Sequence, residues 1–255
     1  MRRFFVLLYQ IFIWAPIILV ATILTALTTI IGCSLGGERI FSYYPGMLWS
    51  KLFCIITLCP VEIKGREKLD KKQSYVFVAN HQGAYDIFLM YGYLGQPIKW
   101  IMKKELAKIP FVGYACRKAG FIFVDNSSRK AAVKTVEEAE AKLKNGNSIA
   151  IFPEGSRTRS GKMGPFKKGA YQMAMDLKLP IVPITINGSY EVMPIDTYLI
   201  NPHKMELIIH DPVPTKDLKA SDMREAATGI RQLLDLSRAE IEKDLWPKYK
   251  SELNV

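Results

Sequence analysis

The longest uncharged stretch of the chain lies at its N-terminus. No charged residue occurs from Phe4 to Gly37. As a helix rising ~1.5 Å per residue, the apolar run from Phe4 to Ile31 would be about 42 Å long, more than the ~30 Å core of a bilayer. A buried helix of a soluble protein rarely has so long an uncharged run. The stretch therefore predicts membrane attachment.

The mode of attachment stays open among three alternatives. A signal peptide is one, although the run exceeds the usual apolar region of roughly 7–15 residues. A single membrane anchor is the second. The third is a two-helix hairpin embedded from one face, in which Ile40–Pro60 forms the second helix. Lys51 lies near the middle of that stretch. A lysine at the bilayer centre costs roughly 2.5–3.5 kcal/mol, which argues against a second full crossing.

The charge and the cysteines narrow the choice of partners. The 255-residue chain has a formal net charge of +11, which suits anionic lipid head groups or phosphorylated ligands. The basic residues form no zinc-finger, RNP or basic-zipper pattern, so we expect no nucleic-acid partner. The four cysteines form no CxxC pair, so we expect neither a disulfide framework nor a structural metal.

Short apolar runs alternate with amphipathic ones after residue 60. Seven of these runs are predicted strands: Val61–Lys64, Tyr75–Ala79, Ile98–Met102, Phe121–Val124, Ser148–Phe152, Ile181–Ile186 and Met205–Ile209. The clearest predicted helices run from Ser128 to about Asn145 and from about Ser221 to Leu245. The pattern predicts one α/β domain over residues 61–255, with a central, largely buried sheet flanked by helices. Residues 1–60 form a separate membrane-attachment region.

A turn with acid–base potential directly follows the second predicted strand. It reads Asn80-His81-Gln82-Gly83-Ala84-Tyr85-Asp86. Positions five apart on a straight helix point about 140° away from each other, so His81 can meet Asp86 only from the turn before a helix. There Asp86 would fix the imidazole tautomer and leave the other ring nitrogen free as a general base. Taken alone, such a pair is more often a loop hydrogen bond.

A second polar turn follows the predicted strand Ser148–Phe152. It contains Glu154, Gly155, Ser156 and Arg157. Glycine, hydroxyls and an arginine close together are typical of an anion-binding turn, because arginine can donate hydrogen bonds to two phosphate oxygens at once. An ordinary turn with exposed charges is the alternative. The sequence contains no P-loop of the GxxxxGK[ST] type.

These motifs resemble the glycerophospholipid acyltransferase family, most closely the 1-acylglycerol-3-phosphate acyltransferases. Asn80–Asp86 is similar to the family's H-x4-D motif and Phe152–Thr158 to its FPEG-S-R motif. The segment from Lys103 to Gly113, together with Gly120–Asp125 and Ile181–Ile184, is similar to the remaining motifs in the same order. The resemblance covers about Val61 to Ile186. The two N-terminal apolar stretches also resemble the two-helix membrane motif of bacterial members.

The resemblance implies a reaction and a role for each motif residue. An acyl group would pass from acyl-CoA or acyl-carrier protein to the sn-2 hydroxyl of lysophosphatidic acid, giving phosphatidic acid for phospholipid biosynthesis. His81 would be the base and Asp86 would orient it. The expected substrate-binding residues are Lys103, Arg129, Glu154, Gly155 and Arg157: Lys103 and Arg157 for the acceptor phosphate, Glu154 for the glycerol region or the orientation of Arg157.

The resemblance also implies a location, and it leaves the acceptor open. We expect no metal and no cofactor beyond the acyl thioester, and a catalytic domain on the cytoplasmic face of the inner membrane, in contact with anionic lipids. The family usually has arginine where this chain has Asn126. Arg129 would partly replace it. The alternatives are acylation of another lyso-lipid, such as a lyso-ornithine lipid or another lysophospholipid, and a membrane-tethered lipid-binding protein without catalysis.

Overall fold

Seven strands form a single sheet in the part of the chain that the structure, a computed structural model, describes: residues 2–124, 135, 137–141, 143, 147–215 and 223–250. The strands are β1 (Val61–Lys64), β2 (Val76–Ala79), β3 (Ile98–Lys103), β4 (Ile122–Val124), β5 (Ser148–Ile151), β6 (Ile181–Asn187) and β7 (Met205–Ile209). Their order is β1-β7-β6-β2-β5-β3-β4. All neighbours pair in parallel except β6 and β7.

The predicted strands are confirmed, and their ends agree within one residue. The central strands β2 and β6 are buried at every position. This agrees with their largely apolar sequence, because a parallel sheet covered on both faces needs apolar side chains on both sides. The α/β fold with a central sheet flanked by helices is therefore as predicted.

Helices cover both faces of the sheet. They are α1 (Arg2–Tyr9), α2 (Ala15–Ser34), α3 (Glu38–Phe41), α4 (Tyr44–Ile56), α5 (Tyr85–Tyr93), α6 (Val112–Lys118), α7 (Gly169–Asp176), α8 (Ser189–Val192) and α9 (Met223–Asp244). One apolar cluster joins α4 and α5 to the sheet, and a second joins α7 and α9 to the sheet. Residues 135 and 137–141 are helical, within the predicted helix Ser128–Asn145. The rest of that helix lies largely outside the described residues.

The N-terminal apolar run forms one continuous helix with an irregular turn. A π-helical turn, Gln10–Trp14, joins α1 to α2, and the backbone N–H of Ala15 donates to the carbonyl of Gln10. Pro16 follows at the start of α2. Proline removes one backbone donor and its ring crowds the carbonyl four residues earlier. A π-helical turn just before Pro16 re-spaces the carbonyls there without ending the helix.

The second apolar stretch folds back along the first. Trp14 Nε1 donates to Thr57 Oγ1 at 3.2 Å, and Trp49 Nε1 donates to Thr22 Oγ1 at 2.9 Å. Early residues thus meet late ones, so α2 and α4 run in opposite directions as a helical pair. Of the described helices, the one from residue 3 to 34 is long and apolar enough to cross a membrane, and only 6% of its most apolar window is buried. At 13 residues, α4 is too short to span a bilayer core.

The topology determines where polar side chains collect. Strands β2, β5 and β3 are parallel neighbours in the middle of the sheet. Their carboxyl ends therefore meet at one edge, which is where ligands bind in open α/β sheets. The turn after β2, the turn after β5 and the last residue of β3 all lie at this edge. These positions hold the two sequence motifs and Lys103.

Candidate active site

The turn after β2 is fixed by side-chain and backbone contacts at both of its sides. Asn80 is fully buried, and its amide pairs with the backbone of Ile186: Nδ2 donates to the carbonyl at 2.9 Å and Oδ1 accepts the N–H at 2.8 Å. The backbone N–H of Thr158 donates to the carbonyl of His81 at 3.1 Å. At Gly83 a Cβ atom would lie 2.5 Å from the carbonyl oxygen of Ser189. Only glycine fits this turn without displacing the backbone of α8.

His81 and Asp86 meet in this turn. His81 Nδ1 lies 2.7 Å from Asp86 Oδ2, and the same oxygen accepts the backbone N–H groups of Gln82 at 2.7 Å and Gly83 at 2.9 Å. Asp86 is fully buried in the first turn of α5, as the five-residue spacing requires. Because Oδ2 accepts both backbone N–H groups, it also accepts from the ring, so Nδ1 carries the ring proton. Nε2 is then the nitrogen available to accept a proton.

An aromatic stack fixes the plane of the imidazole. The rings of His81 and Phe152 are nearly parallel, with centroids 3.9 Å apart and planes at 7°. Trp100 stacks behind Phe152 at 5.2 Å and 25°. The hydrogen bond to Asp86 sets the direction of the ring, and the stack sets its tilt. Together these contacts hold Nε2 in one orientation.

Glu154 lies behind His81. Its Oε1 accepts the backbone N–H of His81 at 2.7 Å, and its Oε2 accepts that of Gly164 at 2.8 Å. Burial raises the pKa of the Glu154 carboxyl, and the two N–H groups act in the opposite direction. A buried carboxylate needs such donors, which explains why it faces the protein. This differs from the expectation that Glu154 holds glycerol or orients Arg157: its carboxylate instead fixes the backbone of His81.

Four cationic residues line the same cavity as His81. The cavity has a volume of about 1730 Å³, and its lining includes Lys103, Arg157, Lys167 and Lys168. Gly155 has φ +78°, and a Cβ built on it would lie 2.7 Å from Lys167 Nζ. The left-handed glycine thus leaves room for the ammonium group beside the motif turn. We refer to these four residues as the cationic wall of the cavity.

Two residues named in the sequence analysis lie outside the described part of the chain, and four that lie at the site were not predicted. Arg129 and Asn126 lie outside the described residues, so their expected roles stay predictions. The role of the Phe152 ring was missed, as was that of Trp100, which belongs to no motif. The contact of Gly164 was also missed, because nothing in its ten-residue separation from Glu154 indicates it. Lys167 could have been found, since it follows the anion-binding motif in a basic run.

The thiol at this cavity is not activated for attack. Cys116 lines the cavity, but burial raises its pKa to about 11. A thiol with such a pKa is a poor nucleophile at neutral pH. No group of three or more His, Cys, Asp or Glu residues that could hold a metal ion occurs among the residues described.

A family model described as Acyltransferase matches residues 60–187. That range contains both motif turns and all but the last strand of the sheet. This chain belongs to the acyltransferase family. The His81–Asp86 pair and the cationic wall both lie inside the matched range.

Named relatives agree with this assignment. The chain is 33% identical over 178 residues to the chloroplastic 1-acyl-sn-glycerol-3-phosphate acyltransferase BAT2 of Brassica napus, covering 69% of this chain and 51% of the relative. It is 33% identical over 179 residues to the 1-acyl-sn-glycerol-3-phosphate acyltransferase of Saccharomyces cerevisiae, covering 69% and 59%. The acyltransferase thus spans about half the length of the curated relatives it matches.

A solved structure matches over nearly the whole chain. It is the crystal structure of the 1-acyl-sn-glycerophosphate (LPA) acyltransferase PlsC from Thermotoga maritima. The TM-score is 0.67 at 27% identity, and the match covers 96% of this chain and 94% of the other. The likeness therefore includes the N-terminal helices as well as the sheet.

Proposed function

We propose that this acyltransferase moves an acyl group from acyl-CoA or acyl-carrier protein to the sn-2 hydroxyl of lysophosphatidic acid, giving phosphatidic acid. The observation that carries the proposal is the His81–Asp86 pair in a cavity that also has a cationic wall. A base next to an anion-binding surface suits a phosphorylated alcohol. The relatives named above give the proposal its substrate.

The pair supplies the proton transfers that the reaction needs. His81 Nε2 takes the proton of the acceptor hydroxyl as its oxygen attacks the thioester carbonyl carbon. The C–O bond forms, a tetrahedral oxyanion appears, and the C–S bond breaks as the carbonyl returns. The leaving sulfur takes the proton from His81, which restores the neutral imidazole. Asp86 holds Nδ1–H throughout and stabilises the imidazolium between the two steps.

The cationic wall gives the acceptor its position. Arg157 and Lys103 bind the acceptor phosphate, and Lys167 adds a third positive charge beside Gly155. A phosphate held on this wall directs the free hydroxyl of the glycerol toward Nε2. Such positioning contributes to catalysis by making the attack effectively intramolecular. Glu154 acts through the backbone of His81.

The apolar wall suits the hydrocarbon chains of the substrates. Residues of α2 and α4 line the cavity together with residues of α6, so the helical pair is part of the binding site. We propose that this pair attaches the enzyme to the cytoplasmic face of the inner membrane. The lipid acceptor then enters from the bilayer and the thioester donor from the cytosol. The basic surface favours anionic lipids.

The test of the reaction is an acceptor panel. Purified enzyme in mixed micelles receives one acyl thioester and, in turn, lysophosphatidic acid, lysophosphatidylcholine and a lyso-ornithine lipid, with products identified by mass spectrometry. We expect phosphatidic acid to form fastest. Preference for an acceptor without phosphate would select the alternative acceptor class that Asn126 suggests. Binding of lipid without any acylated product would refute an enzymatic function.

Arg157 provides the test of the phosphate site. Arg157→Ala should raise KM for lysophosphatidic acid roughly 10- to 150-fold, the loss of a charged hydrogen bond of about 1.5–3 kcal/mol. KM for the thioester should change little. Arg159→Ala is the matched control, because Arg159 is exposed and does not line the cavity. Equal KM values for the two variants would remove Arg157 from the phosphate site.

A further inference from the structure

One segment at the cavity holds most of the exposed large apolar side chains that are described beyond residue 60. The rim segment, defined here as residues 104–114, contains the 3-10 helix Lys104–Lys108 and the first turn of α6. Of the described residues beyond 60, seven large apolar side chains are exposed, and four of them lie in this segment. Their exposed fractions are 44% for Leu106, 44% for Ile109, 61% for Phe111 and 52% for Tyr114. Such clustering is not the scattered exposure normal on a soluble surface.

The rim segment has two faces. Leu106, Ile109 and Val112 line the cavity that contains His81. Phe111 and Tyr114 do not line it, and both are exposed. Because Leu106 and Ile109 line the cavity while remaining exposed, the segment forms part of the rim of the cavity. A surface that contacts the segment would therefore lie directly against the opening of the active site.

Phe111 is held outward by an unusual backbone conformation. It has φ 58° and ψ −52°, and the carbonyl of Pro110 lies 2.6 Å from the N–H of Val112, which makes a γ-turn. This form of the γ-turn is rare and strained for a bulky residue. Next to it, a Cβ on Gly113 would lie 2.3 Å from the carbonyl oxygen of Ala107. The neighbouring backbone is tightly packed, so the turn holds the phenyl ring in its exposed position.

The charge around the aromatic pair indicates the kind of partner. Residues 103–118 contain five lysines or arginines and one acidic residue, a net charge of +4. Lys118 Nζ lies 5.8 Å from the centroid of the Tyr114 ring. Exposed aromatic rings flanked by cations are typical of segments that lie at the interface of an anionic bilayer. A mainly acidic protein surface would match the cations but would leave Phe111 in water.

The rim segment also lies beside the N-terminal helix. Helix α6 packs against α2. On α2, Leu24 and Ile31 are 56% and 55% exposed. Lipid that covers α2 therefore lies next to α6.

We propose that the rim segment is a second membrane contact, which inserts Phe111 and Tyr114 into an anionic lipid surface and holds the cavity opening against it. This rests on the membrane attachment proposed above. The N-terminal helix determines that the enzyme is bound to the membrane. The rim segment determines how the catalytic domain is oriented there, so that a lyso-lipid passes from the bilayer into the cavity without entering water.

Fluorescence quenching tests the contact directly. Full-length Phe111→Trp enzyme is reconstituted into phosphatidylglycerol-containing vesicles with or without bromine-labelled acyl chains. The four native tryptophans give the background, measured on the unmodified enzyme. Leu236→Trp is the matched control, because Leu236 is 46% exposed on α9, which covers the opposite face of the sheet from α4 and α5. We expect added quenching for the tryptophan at 111 and none for the one at 236.

Equal quenching at the two positions would overturn the proposal. Because this measurement needs no catalysis, it stands whether or not lysophosphatidic acid is the acceptor. No quenching at 111, together with a change in its fluorescence when acyl-carrier protein is added, would assign the surface to a protein and also overturn the proposal.

A kinetic test uses the double variant Phe111→Ser with Tyr114→Ser. With the acceptor in anionic vesicles, we expect kcat/KM to fall about tenfold, the order expected when an aromatic side chain loses its apolar burial. With the acceptor in detergent micelles, which adapt to the protein, the rate should stay near that of the unmodified enzyme. Leu236→Ser should match the unmodified enzyme in both. An equal loss in vesicles and micelles would indicate damage to the site and contradict the proposal.

Discussion

Two histidines of this molecule lie near carboxylates, and only one of them is in a position to act as a base. His81 Nδ1 is 2.7 Å from Asp86, and the residue lines the cavity. His210 Nδ1 is 3.6 Å from Glu240 and 3.9 Å from Asp244, and its side chain is 5% exposed. Both pairs would satisfy a search for histidine beside an acidic residue. Their second ring nitrogens differ.

The Nε2 nitrogen of His210 is committed to a hydrogen bond inside the protein. It lies 2.8 Å from the hydroxyl of Thr185, and that hydroxyl donates to the carbonyl of Ile241 at 2.9 Å. The hydroxyl has one hydrogen, so it must accept from His210 Nε2–H. Topology explains the contrast with His81. His81 follows β2 at the carboxyl edge of the parallel strands, whereas His210 follows β7, which is antiparallel to β6 and ends at the opposite edge.

The largest expected effect separates the two residues by function. His81→Ala should lower kcat for acyl transfer about 10³–10⁴-fold, because the acceptor hydroxyl loses its base. Circular dichroism and the unfolding midpoint should change little, since the side chain is at the cavity surface. His210→Ala should lower the unfolding midpoint and leave kcat per folded molecule unchanged. Similar kcat values for the two variants would contradict the contrast.

The second effect tests the role of the carboxylate. In Asp86→Asn the amide oxygen can keep the N–H groups of Gln82 and Gly83 together with Nδ1–H of His81, since one oxygen accepts all three. The amide carries no negative charge, so the imidazolium that forms during the reaction loses its carboxylate partner. We expect kcat to fall roughly 10- to 150-fold, the loss of one charged hydrogen bond of about 1.5–3 kcal/mol.

The control for this variant is Asp244→Asn, which removes a carboxylate 3.9 Å from His210 and should leave kcat unchanged. The measurement is steady-state kcat with saturating thioester and acceptor. A loss of activity in Asp244→Asn as large as that in Asp86→Asn would show that proximity to a histidine, rather than an open second nitrogen, decides the effect.

The sequence predicted the sheet and the main contact of the site because both depend on local patterns. Largely apolar runs such as Ile181–Ile186 are specific for buried parallel strands. The spacing of His81 and Asp86 permits contact only from a turn into a helix, and the structure has that turn. The resemblance assigned Lys103 and Arg157 to one phosphate site, and in the structure both line the cavity of His81.

Long-range contacts were beyond prediction. Trp100 stacks on Phe152 from another strand, and Glu154 accepts an N–H from Gly164 across a loop. No spacing rule connects such residues, because the loop path decides which backbone donors reach a buried carboxylate. Glu154 was assigned to substrate for this reason: its motif position gave no sign of the direction in which its side chain points. The same applies to His210, whose partner Thr185 is 25 residues away.

A smaller effect on kcat is expected for Glu154, whose buried carboxylate accepts the backbone N–H of His81. Glu154→Gln keeps one acceptor oxygen and places an amide donor against either the His81 or the Gly164 N–H. Leaving a buried donor without a partner costs about 1–3 kcal/mol, so we expect a lower unfolding free energy. The kcat should fall about tenfold because the turn of His81 shifts, with KM for the phosphate acceptor unchanged.

The exposed Glu67 provides the matched control, since Glu67→Gln should change neither quantity. A raised KM without a change in kcat would instead return Glu154 to the glycerol-binding role that its motif suggested. Chemical denaturation and steady-state kinetics on the same preparations make the comparison.

The smallest effect concerns the pH dependence of stability. Burial lowers the pKa of His210 below its ordinary value of 6.5, and the nearby cations Lys68 and Lys243 act in the same direction. Asp244 and Glu240 oppose the shift without cancelling it. The folded protein therefore keeps His210 neutral at a pH where the unfolded chain protonates it. His210 thus contributes stability above about pH 6.5, and this is lost as the pH falls through the lower, folded pKa.

The variant His210→Gln isolates this contribution, because glutamine can still donate to the Thr185 hydroxyl but does not titrate. From pH 7.5 down to 5.5, the unmodified enzyme should lose more unfolding free energy than the variant, by up to about 1.4 kcal/mol per pH unit. Denaturation curves at both pH values measure the difference, and titrations common to both proteins cancel. Suppose that the unfolding free energy of the enzyme and of His210→Gln changes equally with pH. His210 could then be protonated in the folded state, as a base must be. The distinction between the two histidines would rest on the cavity alone.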